Sequence, residues 1–331
     1  MTRTRTYTRT IALKLLTAIM LTAPGAATQA QTAYPAKPVR IIVPIAAGSV
    51  TDVVLRAATP MLSQRLGQPV IIDNRPGASG VVGAEACARA APDGYTICAV
   101  YHSIMSFNPY TFEKLPYDPG KDFAPVGRLF FVTEGLVVPA AFPVQNVAEL
   151  KTYALQHPAG VNLGTLGEGS LQELFVAWLN REWKTKIVGV PYKGGGPIAN
   201  AVTAGEIQMA QMGLGNFIGL VQSGQLKAIA VSADKRSKAL PNVQTNDEAG
   251  LGGFPARPWW GIAAPAGTPP AVVARLNADF NAVFRDPKML ELMDARYVEA
   301  SVTTPAEFAA FLKTDRESTG SLVRLASQAP R

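Results

Sequence analysis

The spacing of apolar positions along the chain switches repeatedly between a period of two and a helical period. Val39–Val43 is a β-branched run, residues 44–49 are small, and residues 51–66 place apolar side chains at helical spacing. That order predicts a strand, a loop and a helix. A strand over 70–73, a glycine-rich turn over 77–83, a helix over 82–89 and a strand over 95–100 follow. A second series opens with a strand over 161–164, a helix over Leu171–Trp183 and a strand over 187–190. After Pro197 it continues with a short helix to residue 204, a strand over 207–211, a helix over 217–223 and a strand over 228–232. Such alternation implies mainly parallel sheets faced by helices. The fold class is α/β, with two α/β units.

The last third reads differently. Residues 255–270 are rich in Pro, Gly and Trp, and helices over 270–284, 287–295 and 305–318 each begin at a proline, which suits a first helical turn. Helices without a sheet of their own must pack on an existing one, so the chain is expected to return to the first unit. The expected domains are 31–133 plus 260–331, and 134–259, with crossings near 130–138 and 259–264. Two crossings make a hinge, and a hinge makes a closable central cleft. The roughly 300 residues beyond the leader also exceed what one core usually serves.

Charge at the N-terminus changes how the rest is read. Arg3, Arg5 and Arg9 precede an apolar run from Ile11 to Leu21 interrupted by Lys14, and Pro24 and Gly25 follow. This is the layout of a signal peptide, with Thr28 and Ala30 at the positions a signal peptidase reads and the cut expected after Ala30. A membrane span needs about 20 apolar residues, and this run has roughly half that. The protein is therefore expected in the periplasm. The chain has 31 basic and 24 acidic residues, but four of the basic ones and none of the acids fall in residues 1–30, leaving +3. No basic run interleaved with aromatics remains, which argues against nucleic acid.

Few residues offer reactive chemistry. Cys87 falls on an expected helix and Cys98 on the next strand, so in an oxidising compartment they are either a disulfide or two buried thiols. The histidines, His102 and His157, are far apart, which leaves little material for a metal site or a nucleophile pair. No cofactor is implied. Gly167, Glu168, Gly169 and Ser170 do not have the order of a nucleophile elbow, so a periplasmic hydrolase is a weak alternative.

The loops after the strands are more informative. In open α/β sheets ligands bind beyond the carboxyl ends of strands, where the next helices begin. Ile45, Ala46, Ala47, Gly48, Ser49, Val50, Thr51 and Asp52 follow the first strand, and Thr165, Leu166, Gly167, Glu168, Gly169 and Ser170 follow the first strand of the second unit. Small side chains expose backbone N–H groups, which with the helix dipole attract an anion. A third loop, Pro191 to Pro197, adds Tyr192, Lys193 and three glycines beginning at Gly194. Thr51 or Asp52 is alternatively a simple helix cap, Lys193 is expected to face solvent, and Glu168 fits an anion site only if it faces water. The candidate ligand-binding set is Ile45, Ala46, Ala47, Gly48, Ser49, Thr51, Asp52, His102, Ser103, Thr165, Leu166, Gly167, Gly169, Ser170, Tyr192, Gly194, Asn216 and Trp259. His102 is either a donor to a carboxylate or a surface loop residue. Trp259 and Trp260 lie at the expected hinge, where at least one packs between domains and the other can stack on a ligand ring.

Several motifs carry a family resemblance. Tyr34-Pro-Ala-Lys-Pro-Val-Arg-Ile-Ile-Val-Pro44, Leu66-Gly-Gln-Pro-Val70, Asp73-Asn-Arg-Pro-Gly-Ala78 and Ala91-Pro-Asp-Gly-Tyr-Thr96 closely resemble the Bug-type periplasmic receptors of tripartite tricarboxylate transporters. Asn108-Pro109, Leu115-Pro-Tyr-Asp118, Asp122-Phe-Ala-Pro-Val126, Val190-Pro-Tyr-Lys-Gly194 and Ala264-Pro-Ala-Gly-Thr-Pro269 follow in the family's order. The resemblance implies a type II-like periplasmic binding protein: two α/β domains, a central cleft and two crossover segments. It further implies a monomer that binds a small carboxylate through loop amides and hands it to a membrane permease with a large and a small subunit. An alternative with the same binding module is a sensing domain that reports to a membrane sensor kinase.

Departures from the family pattern bear on the ligand. Ile45-Ala-Ala-Gly-Ser49 replaces a loop that usually reads Phe-Pro-Pro-Gly-Gly, residues 100–107 are bulkier than usual, and Gln208 and Met212 stand where Asp is common. Fewer acids and more aromatic or polarizable groups favour an aromatic dicarboxylate such as terephthalate.

Overall fold

The computed structural model describes residues 34–167, 170–236, 240–254 and 257–327. The leader with its cut after Ala30, and Glu168 and Gly169, lie outside them.

The first series of elements is β1 (Val39–Val43), α1 (Val50–Leu66), β2 (Val70–Asn74), α2 (Val81–Ala88), β3 (Thr96–Tyr101), the short helix α3 (Asn108–Thr111) and β4 (Phe123–Val132). The second is β5 (Glu134–Pro139), α4 (Val147–Gln156), β6 (Asn162–Thr165), α5 (Leu171–Trp183), β7 (Val188–Pro191), α6 (Gly195–Ala204), β8 (Met209–Gly213), α7 (Ile218–Gln222) and β9 (Leu226–Val231). β10 (Trp259–Pro265), α8 (Pro270–Val283), α9 (Pro287–Asp294), β11 (Val298–Ala300) and α10 (Pro305–Ser327) complete the chain.

These elements build two sheets, ordered β11-β4-β10-β3-β1-β2 and β7-β6-β8-β5-β9, which is the expected architecture of two α/β domains. Where a strand is followed by its own crossover helix the pairing is parallel, as in β1 with β2 and β3, and β6 with β7 and β8. β10 instead runs antiparallel between β3 and β4, and β5 antiparallel between β8 and β9. Both sheets are therefore mixed rather than mainly parallel. The reason is connectivity: β5 and β10 are reached by crossing from the other sheet, so no same-sheet helical crossover dictates their direction.

The crossings also differ from the sequence reading. Thr133 alone separates β4 from β5, whereas residues 232–258 form the return path. Residues 259–264, expected as a connection, are a fully buried central strand, because an apolar run with both faces covered is a strand rather than a linker. The proline-started helices do pack on the first sheet: α8 and α10 lie against β4, and α1 against α8 and α9. Phe130 of β4 stacks on Phe284, which in turn stacks on Phe280 of α8. Burying each such ring contributes about 1.5–3 kcal/mol. α10 reaches further than expected, since Leu322 near its end joins the core around Phe175, Leu179 and Trp183 beside the second sheet. Cys87 of α2 and Cys98 of β3 are joined as a disulfide, their Cα atoms 6.1 Å apart.

Candidate functional site

A cavity of about 560 Å³ is lined by loops of both sheets. Its walls are the ends of β1, β3, β4 and β10 with residues 76–80 from the first sheet, and the loops before α5 and α6, with Glu134, Met212, Gly213 and Asn216, from the second. Three helices start at this cavity, at Ser49 of α1, Ser170 of α5 and Gly194 of α6. Each presents backbone N–H groups and the positive end of its dipole.

The first loop is held from behind. The Oγ of Ser49 accepts from the Asp52 amide at 3.3 Å, so Ser49, not Thr51 or Asp52, is the cap of α1. Asp52 is buried, and its carboxylate accepts from the Gly48 amide at 2.8 Å, from Arg56 Nε at 2.9 Å and from Asn74 Nδ2 at 2.8 Å. Burial alone would raise its pKa, but these bonds outweigh burial and hold it below the usual carboxylate value. Asn74 also donates to the Ile45 carbonyl at 3.1 Å. Asp52 thus shapes the loop and does not line the cavity. Ala47 and Gly48 are also absent from the lining, while Ile45, Ala46, Ser49 and Thr51 are in it.

The second loop divides similarly. Ser170 caps α5, its Oγ accepting from the Glu173 amide at 3.3 Å, and lines the cavity with Leu166. Thr165 is fully buried and turns its hydroxyl to Glu173 Oε1 at 2.6 Å, accepting meanwhile from the Gly167 amide at 3.2 Å. Thr165 and Gly167 therefore support the loop from outside the lining. In the third loop Tyr192 and Gly194 line the cavity, tied by the Tyr192 amide to the Thr165 carbonyl at 2.8 Å. Lys193, expected to face solvent, is exposed yet lines the rim, and among the described residues it is the one Lys or Arg there. Asn216 lines the wall with its amide donating to the Gly213 carbonyl at 2.8 Å.

One wall is aromatic. Tyr101 stacks on Trp260 with ring centroids 4.5 Å apart and planes 12° from parallel. Gly80, at φ +87°, lets this happen: a Cβ there would lie 2.8 Å from the Tyr101 hydroxyl. His102 meets Tyr101 edge-on at 5.2 Å and Phe107 at 5.5 Å, and Ser103 follows it into the lining. The His102 Nδ1 has no partner among the described residues, and burial pushes its pKa down to about 3, so the ring is neutral. Trp259 faces the other way. It sits among Phe308 and Phe311 and donates from Nε1 to Asp315 at 2.9 Å, because neighbours on a strand point to opposite faces.

The profile of the tripartite tricarboxylate transporter family receptor matches residues 54–327. The chain belongs to that family. A UPF0065 protein of Bordetella bronchiseptica is 34% identical over 316 residues, covering 96% of this chain and 93% of the relative. The solved structure of MatC from Rhodopseudomonas palustris with bound malate is 31% identical, has a TM-score of 0.80 and covers 88% of this chain and 100% of that one. A second R. palustris structure, with adipate, is 29% identical with a TM-score of 0.83, covering 90% and 100%. The family is one of periplasmic solute-binding receptors, not of enzymes.

In this receptor the candidate set left out Glu134 and Gln172, which line the cavity together with Tyr101, Met212 and Trp260, residues the sequence had marked only as bulky, polarizable or able to stack on a ring. Trp260 differs from Trp259 only in strand face, which register decides. Among the described residues no His, Cys, Asp and Glu side chains group closely enough to hold a metal, and no helix is long and apolar enough to cross a membrane.

Proposed function

We propose that the receptor captures a small dicarboxylate in this cavity and delivers it to a membrane permease with a large and a small subunit. The observation that carries the proposal is the convergence of three helix N-termini on one cavity, which supplies amide donors and positive dipole ends to an anion with no buried cation among the described residues. The relatives solved with malate and adipate support the ligand class. The stacked Tyr101 and Trp260, with Tyr192 across the cavity, favour a flat aromatic acid such as terephthalate. The signal-like leader and the family both support work in the periplasm. Because the lining comes from both sheets, a ligand contacting both stabilises a closed form and shifts the population towards it.

Thermal shift against terephthalate, benzoate, adipate and malate tests this. A rise in melting temperature is expected for the dicarboxylates and is largest for terephthalate. A folded protein that none of these acids stabilises overturns the reading.

A further inference from the structure

A carboxyl group in the wall of an anion site demands an explanation. Glu134 opens β5, the first residue after the crossing at Thr133, and its side chain is only 5% exposed. Its backbone is fixed on both sides by Ser232, whose Oγ accepts from the Glu134 amide at 2.8 Å and whose amide donates to the Glu134 carbonyl at 2.9 Å. Glu134 lines the cavity with the Gln211 side chain beside its carboxyl, and both Glu134 Oε2 and Gln211 Oε1 are buried without a partner among the described residues.

Among the described residues the surroundings supply no buried cation. β8, paired on one side, brings Gln211, Met212 and Gly213, and β9, on the other, reaches this level at Val231 followed by Ser232. Among the described residues, the titratable groups that share the cavity are Tyr101 and neutral His102 from the first sheet, and Tyr192 and Lys193 on the loop before α6. Lys193 is exposed at the rim. Arg257, on the return path, lies over the Phe131 ring and pairs with Asp234 and Glu299. The Tyr297 carbonyl accepts from the Thr133 amide at 3.0 Å. An unpaired buried carboxylate costs several kcal/mol and repels an incoming anion. A carboxylic acid does neither, and it carries an O–H that a ligand carboxylate can accept in a short, strong hydrogen bond.

We infer that Glu134 meets the ligand as a neutral acid and donates a hydrogen bond to one of its carboxylates, so that the receptor distinguishes dianions by a proton it already holds. The inference rests on the carboxylate reading above. Burial pushes the Glu134 pKa up to about 8, in keeping with this role.

Calorimetric titration of terephthalate and of adipate, from about pH 6 to about pH 10, into the receptor and its Glu134→Gln variant tests the inference. Affinity of the unaltered receptor should be flat below about pH 8 and fall about tenfold per pH unit above it, as loss of one required proton dictates. Glu134→Gln, an uncharged donor of similar shape, should bind within about threefold of the unaltered receptor at pH 7 and lose that dependence. Affinity that stays flat in the unaltered receptor, or that rises with pH, overturns the inference.

A ligand-free measurement covers the case in which the variant does not fold. Carbon NMR of receptor labelled at glutamate Cδ should show one carboxyl titrating near 8, far above the others, and its absence overturns the protonated state. If that resonance is present but neither acid binds, the carboxylate reading itself has failed, and the ligand part of the inference falls with it.

Discussion

The ring of Tyr101 lies against that of Trp260, 4.5 Å between centroids and 12° from parallel, where register pairs the two residues across β3 and β10. Neighbouring Trp259 is spent on the core instead. Trp260→Ala should therefore weaken terephthalate binding by about 0.5–1.5 kcal/mol more than adipate binding, the worth of an aromatic contact beyond its area. Trp259→Ala should cost about 3–5 kcal/mol of stability. Calorimetry with both acids and urea unfolding separate the two roles.

Ser170 combines two roles at one hydroxyl. Sequence pattern alone assigns it to the ligand, yet its Oγ already accepts the Glu173 amide. Ser170→Ala should lower stability by about 1 kcal/mol as a lost cap and also weaken carboxylate binding. Unfolding and titration of the same variant should show both losses.

How far the site could be read from sequence follows from this contrast. Strand-to-helix loops are local, so Ile45, Ser49, Leu166, Ser170, Tyr192 and Gly194 could be named from spacing and small residues, and the structure places all six at one cavity. Side-chain direction is not local. Asp52, Thr165 and Trp259 turn away because Arg56, Glu173 and the Phe308 cluster claim them. Glu134 and Trp260 enter because two crossings bring distant strands together. The β/α order over 39–100 and 161–232 was legible for the same local reason, whereas β4, β5, α4 and β11 were not read. That β5 and β10 are strands at all, and which way they run, depends on long-range pairing, and both stretches read as connections instead.

Stability should change with pH in two windows. His102 is held neutral, with its pKa lowered to about 3, so its contribution is complete above its ordinary value of 6.5 and is lost as pH falls towards 3. Glu134 is raised from 4.5 to about 8, so its contribution is complete below 4.5 and is lost as pH rises towards 8. Glu134→Gln should consequently move the pH of maximum stability upward, and His102→Gln should move it downward. Urea midpoints measured across the pH range check both signs.

The Cys87–Cys98 pair closes a short loop between α2 and β3. Receptor purified without reductant should take up no thiol reagent after unfolding. Reduction should cost about 2–4 kcal/mol of stability, read as a lower urea midpoint.

Gly80 sits under Tyr101 at a positive φ. Gly80→Ala would push the phenol off its stacking position and strain the turn as well, so terephthalate affinity should fall more than Trp260→Ala alone causes. Tryptophan fluorescence would report the displacement of the ring.

One of the two passages between the sheets is a single residue, and both of its backbone groups are engaged: the Thr133 amide by the Tyr297 carbonyl, and its carbonyl by the Leu214 amide. A residue held through both the peptide plane before it and the one after it has almost no slack. At this crossing, relative rotation of the sheets then falls on the few torsions around Thr133, acting as a torsion bar rather than a flexible strap. Glu134, the next residue, sits at the root of that bar, where a small turn moves it least, so the proton it offers stays at a nearly fixed point while the loops around it travel.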